Sequence, residues 1–150
     1  MKKFFLLLML GLVSVAMWSC SDDDDDDKYI SATELPKVAQ EFISQYYPAD
    51  KVLSVELDKD HSTVTYDVKL ASGHEVEFDS AGQWIDLDAP AGASVPEALI
   101  PEAIARYVTD NFPAYLVNEL TRTARGYDVE LTNGLELPFD KDGNFVGHLL

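Results

Sequence analysis

The chain has 150 residues, enough for one domain or two very small ones. Eleven Lys and Arg stand against 27 Asp and Glu, a formal net charge of −16, which argues against nucleic acid as a partner because phosphate backbones are held by clustered cations. Hydrophobic residues at 47% and aromatics at 11% exclude disorder for the chain as a whole, and a single Cys excludes internal disulfides and a Cys-rich metal centre.

The chain opens on Lys2 and Lys3, followed by an apolar stretch from Phe4 to Met17 broken only by Gly11 and Ser14. This stretch suits the h-region of a signal peptide and falls short of the roughly 20 residues that span a bilayer. It ends in Met17-Trp18-Ser19-Cys20, which resembles the lipobox of bacterial lipoproteins, with bulkier residues at 17 and 18 than that pattern usually carries. The resemblance implies acylation of Cys20 and anchoring without a transmembrane helix; plain secretion with cleavage after Ala16 is the alternative. Asp22 to Asp27 then form an unbroken run of six acids. Such a run buries nothing and repels itself, so it reads as a solvated tether. Its place after the lipidated Cys resembles the acidic export signal of surface lipoproteins in Bacteroidetes; a mere spacer or an enterokinase site are the bland readings. The expected division is a signal peptide over 1–19, the lipidated Cys and tether over 20–33, and two repeats over 34–88 and 95–150.

The two repeats share their punctuation. Leu35-Pro36 answers to Ile100-Pro101, Tyr47-Pro48-Ala49 to Phe112-Pro113-Ala114, and Val52 to Val117. After a gap, Tyr66-Asp67-Val68 answers to Tyr127-Asp128-Val129, and Gly73, Glu75, Phe78, Asp79 and Gly82 to Gly134, Glu136, Phe139, Asp140 and Gly143. Ala89 to Ser94, rich in Pro, Gly and small residues, links them. Each repeat is small for a stable core, so the two are expected to pack on each other.

Each repeat begins with a helix. Leu35, Val38, Ala39, Phe42, Ile43 and Tyr46 recur at helical spacing, Ser31 and Glu34 have capping-box spacing, and Pro48 stops the run. Ile100, Ala103, Ile104, Tyr107 and Val108 repeat the stripe before Pro113. Four strands are predicted after each helix: about 51–58, 62–70, 74–79 and 83–88, then 115–122, 125–132, 135–140 and 144–149. Apolar and polar residues alternate along them, as in Val64 to Leu70, and Gly-containing turns separate them. The expected fold is α+β: two tandem repeats, each one helix packed on its own four-stranded antiparallel sheet.

This order of Leu-Pro, helix, Tyr-Pro, Tyr-Asp-Val, Gly, Glu, Phe-Asp and a Gly-centred turn resembles the PepSY-like, or putative beta-lactamase-inhibitor-like, family over residues 35–150. The resemblance implies a tandem fold like beta-lactamase inhibitor protein and a small secreted or lipid-anchored envelope protein. It carries no catalytic residues to this chain.

Chemistry-bearing motifs are few. His61, His74 and His148 lack metal-ligand spacing, and there is no Gly-x-Ser-x-Gly elbow or phosphate-binding Gly loop. Glu75 and Glu77 share a strand face, an arrangement that suits an acid–base pair but more often a solvated face. Asp140, Asp142 and Asn144 copy the start of a calcium loop, although Phe145 stands where such a loop needs Gly and its closing Glu would fall beyond Leu150. Repeat one carries Asp79, Ser80 and Gln83 around the corresponding turn.

The outward sheet faces are the other candidate. Asp67, Lys69, Glu75, Glu77, Trp84 and Asp86 are expected on one, and Asp128, Glu130 and Glu136 on the other. An exposed Trp among acids suits a basic or amphipathic partner; alternatively Trp84 closes the interface between repeats. The expected function is that of a non-enzymatic envelope lipoprotein, surface-exposed or periplasmic, that binds an unidentified protein or peptide. A calcium-responsive module centred on Asp140, Asp142 and Asn144 is the alternative.

Overall fold

The computed structural model describes residues 28–60 and 62–147. Cys20, the Asp22–Asp27 run, His61 and His148 lie outside the described residues. Strand β1 (Lys28–Ile30) precedes a 3-10 turn (Ala32–Glu34) and helix α1 (Lys37–Tyr46). Strands β2 (Val52–Asp60), β3 (Thr63–Leu70), β4 (Glu75–Asp79) and β5 (Trp84–Asp88) complete the first half. A second 3-10 turn (Glu97–Leu99) and helix α2 (Glu102–Asn111) lead to β6 (Val117–Arg122), β7 (Gly126–Leu131) and β8 (Glu136–Asp140). Among the described residues no helix is long and apolar enough to cross a membrane.

The α+β class, the two helices and the antiparallel pairing agree with the sequence. The expected pair of separate four-stranded sheets is corrected: the strands form one eight-stranded sheet in the order β1 to β8. The halves join through β5 and β6, where Asp86, Leu87 and Asp88 pair with Thr121, Leu120 and Glu119. Asn118 secures the junction, its Nδ2 donating to the carbonyls of Ala89 at 2.8 Å and Ala93 at 3.3 Å. The backbone adds Ala89 N–H to the Asn118 carbonyl and Val95 N–H to the Val117 carbonyl.

Residues 28–33, placed with the tether in the expected division, carry β1 and most of the first 3-10 turn. β1 pairs with β2, Ile30 lying opposite Val55 as Leu87 lies opposite Leu120. Strand β5 therefore serves twice, as the last strand of the first half and the lead strand of the second. The Ser31–Glu34 capping box exists, with Ser31 N–H donating to Glu34 Oε2 at 2.8 Å, but it caps the 3-10 turn; α1 starts only after Pro36. The predicted strand over 144–149 does not form within the described residues. A Phe139–Phe145 bridge, an Asp140 N–H bond to the Asn144 carbonyl and a Val146 N–H bond to the Pro138 carbonyl occur there. In an antiparallel ladder a residue's N–H and C=O face the same neighbour, so the N–H that Pro138 lacks is one a ninth strand would need.

Register sorts the side chains. Ile30, Val55, Val68, Val76, Leu87, Leu120, Val129 and Leu137 lie opposite one another in turn, an apolar row across all eight strands. With Ala39, Ile43, Ile104 and Val108 of the helices they form one core. Phe42 of α1 meets Phe78 edge-on at 5.5 Å, and Tyr107 of α2 meets Phe139 likewise at 5.4 Å. The helices thus cover one face of the sheet, and the opposite face defines the candidate site.

Candidate binding surface

Residues adjacent to the apolar row point the other way, because side chains alternate along each strand. One row across this face runs Tyr29, Glu56, Asp67, Glu77, Asp86, Thr121, Asp128 and Pro138. A second runs Ser54, Lys69, Glu75, Asp88, Glu119, Glu130 and Glu136. The structure therefore brings Asp67, Glu75, Glu77, Asp128, Glu130 and Glu136 onto one continuous face, where two faces were expected. Glu56, Asp88 and Glu119 also belong to it. Their alternation with Val55, Leu87 and Leu120 carried that signal; the pairing of β5 with β6, which unites the rows, had none.

Opposed carboxylates are costly across a strand pair, and here three follow in register from Asp67 through Glu77 to Asp86. Each is half-buried. Burial pushes the Asp67 carboxyl up, and Glu56 and Asp58 add to it. Burial likewise raises Glu77, with Asp67 and Asp86 contributing against a Thr65 hydrogen bond. Asp86 is raised by burial despite accepting a hydrogen bond from the Thr121 hydroxyl. Lys69 offsets part of this charge through an ion pair with Glu75 at 3.2 Å. On the second half the face dips into a depression of about 410 Å³ lined by Glu119, Thr121, Asp128, Glu130, Glu136 and Pro138.

The expected exposed Trp among these acids is corrected: Trp84 is 7% exposed and belongs to the core. Simple alternation would place it beside Asp86, but a bulge inserts Ile85, and Trp84 lies opposite Phe78 on the helix side. Arg122 of the second half covers it, its guanidinium carbon 3.6 Å from the ring centroid and its Nη1 donating to the Trp84 carbonyl at 3.3 Å. Trp84 therefore joins the two halves.

Asp140, Asp142 and Asn144 are not arranged as an oxygen cage. Asp140 Oδ1 accepts the backbone N–H groups of Asp142 at 3.0 Å and Asn144 at 2.8 Å, and the Asn144 amide donates to both carboxylate oxygens. These bonds, the Asn144 side chain foremost, hold the Asp140 carboxyl below its ordinary range. Asp79 plays the same part in the first half, accepting from Ala81 and Gln83 N–H at 2.9 Å. Both are turn staples. Among the described residues no three His, Cys, Asp or Glu side chains are grouped to hold a metal ion.

No curated protein sequence matches the chain. Among the solved structures that share its fold are three with a TM-score of 0.76 or 0.77. One, a putative periplasmic protein of unknown function from Bacteroides vulgatus, is 37% identical, the match covering 81% of this chain and 97% of that one. A putative calcium-regulated periplasmic protein from Bacteroides thetaiotaomicron is 39% identical, over 81% of this chain and 95% of the other. A second putative periplasmic protein from Bacteroides vulgatus is 35% identical, over 83% and 97%. The family model described as putative beta-lactamase-inhibitor-like, PepSY-like matches residues 17–65 and 64–147, and the chain belongs to that family.

Proposed function

We propose that this protein is a non-catalytic binding module of the cell envelope whose open, acid-lined sheet face docks a cationic protein or peptide. The observation that carries the reading is the pair of in-register acidic rows spanning all of one sheet face, with half-buried carboxylates held next to one another at a cost in stability. A basic partner would offset that repulsion, and its approach would be steered by the field of a chain with net charge −16. The periplasmic descriptions of the solved relatives support an envelope location, and the lipobox-like Cys20 supports a lipid anchor, with the acidic run favouring the outer surface. The test is binding of a lysine-rich peptide to the full chain and to an Asp67→Asn/Glu77→Gln/Asp128→Asn variant. The native chain is expected to bind, about tenfold or more weakly at 200 mM than at 50 mM salt, and the variant to lose most of that affinity. Equal binding by both proteins would refute the reading.

The description of one relative as calcium-regulated supports a second reading, in which calcium engages Asp140, Asp142 and Asn144. The ion would have to displace the Asn144 amide from Asp140. It predicts a calcium-dependent rise in melting temperature that magnesium does not reproduce and that Asp142→Ala abolishes.

A further inference from the structure

The corner where α1 ends holds a polar cluster that the second half builds without. Asp50 Oδ1 accepts the backbone N–H groups of Lys51 at 2.9 Å and Ser72 at 3.1 Å, and its Oδ2 accepts the Ser72 hydroxyl. His74 Nδ1 lies 2.8 Å from that same Ser72 Oγ, and its Nε2 lies 3.2 Å from the carbonyl oxygen of Ser94 in the linker between the halves. At the corresponding positions the second half has Tyr115, Asn133 and Leu135, with Phe112 in place of Tyr47. The fold therefore does not require the cluster. What sets the first half apart is the linker that follows it.

Counting donors decides the state of the ring. Asp50 is held below its ordinary range, first by the Ser72 side chain, so it is an ionised acceptor and takes the only proton Ser72 has. Ser72 Oγ can then only accept from Nδ1, and the Ser94 carbonyl can only accept from Nε2. Both bonds exist together only when both ring nitrogens carry protons. The neutral ring has one donor and must give up one of them. The nearby carboxylate favours keeping the proton on Nδ1, so Ser94 is the contact that is lost.

We propose that His74 is a proton-operated latch on the linker between the two halves, closed while the imidazole is protonated and released from Ser94 as it loses its proton. The other titratable groups facing the ring keep their charge through neutral pH. Asp50 stays ionised, and Tyr47, whose ring packs 5.4 Å from the imidazole, is pushed up to about 12 by burial and by Asp50. The linker's other hydrogen bonds across the junction run to Asn118 and Val117 of the second half, so among the described residues His74 is what fastens Ser94 to the first. Ser94 and Val95 also form one wall of an apolar groove with Ile100, Val108 and Leu116, which the latch thereby sets.

The test follows the ring nitrogens of His74 and the amide of Val95 by NMR on the full chain from pH 5 to 8. The Val95 amide directly follows the Ser94 carbonyl and reports its hydrogen bond. The latch predicts two protonated ring nitrogens at the acid end and a Val95 shift with the midpoint of His74. It also predicts loss of that shift in His74→Leu, which installs the residue the second half uses. A flat Val95 amide, a midpoint matching His61 or His148 instead, or a Val95 shift that persists in His74→Leu overturns the proposal. Should His74→Leu fail to fold, the native-chain comparison decides alone.

Discussion

Asp67, Glu77 and Asp86 each bind a proton more readily in the folded chain than in the unfolded one, because burial raises them above the ordinary 3.8 of Asp and 4.5 of Glu. The unfolded state therefore holds fewer protons between the ordinary and the raised values, and stability falls as pH climbs through that window. Asp50 and Asp140 act in the opposite sense, since both are lowered and their contribution is lost as pH falls through the native values. The melting temperature is expected to rise as pH drops from neutral through the raised native values and to fall again once pH passes below the ordinary 3.8 of Asp towards the lowered ones, which a series of calorimetric scans will show. Asp67→Asn and Glu77→Gln should each stabilise the chain by about 0.2–1 kcal/mol at pH 7 and flatten the neutral limb of that curve. Unchanged curves would mean that the rows do not repel. Trp84→Ala is expected to cost about 3–5 kcal/mol by urea unfolding, since it empties a core position between the halves.

At the scale of elements, each helix rests on a tight turn that follows a strand. Gly82, at φ +79°, lies under α1, and Gly143, at φ +80°, lies under α2. A Cβ would stand 2.8 Å from Pro36 Cβ at the first and 2.9 Å from Ala103 Cβ at the second. Either Gly→Ala change should cost about 1–3 kcal/mol, through left-handed backbone strain and displacement of the helix; a loss within 0.5 kcal/mol by urea unfolding would contradict this packing. These glycines, the helix stripes and most strand positions were legible because each is encoded locally, in spacing or turn chemistry. β1 was not: three residues beside an acidic run give no periodic signal, and only pairing with β2 makes Lys28–Ile30 a strand. Trp84 was misplaced because a bulge of one residue reverses the face that alternation assigns. The calcium-like spacing was legible but not specific to an ion, since Asp at the first position of a turn serves equally to hold backbone N–H groups.

At the scale of the molecule, the pairing of β5 with β6 turns two repeats into one sheet with one core and one open face. No local residue pattern announces that pairing, because it depends on α2 and the linker returning the chain antiparallel beside β5. A shared core of this kind should unfold in a single transition, with calorimetric and van't Hoff enthalpies equal; two resolved transitions would restore the picture of independent repeats. The same continuity makes the acidic rows of both halves a single surface, on which the proposed function rests. The most direct test of that function is backbone NMR of the full chain titrated with a lysine-rich peptide at low and high salt. Shifts are expected on β2 to β8 at the outward positions, Glu56, Asp67, Glu77, Asp86, Asp128 and Glu130 among them, and are expected to disappear at high salt. Shifts confined to the helix side or to the Asp140 turn, or none at low salt, would contradict the proposed function.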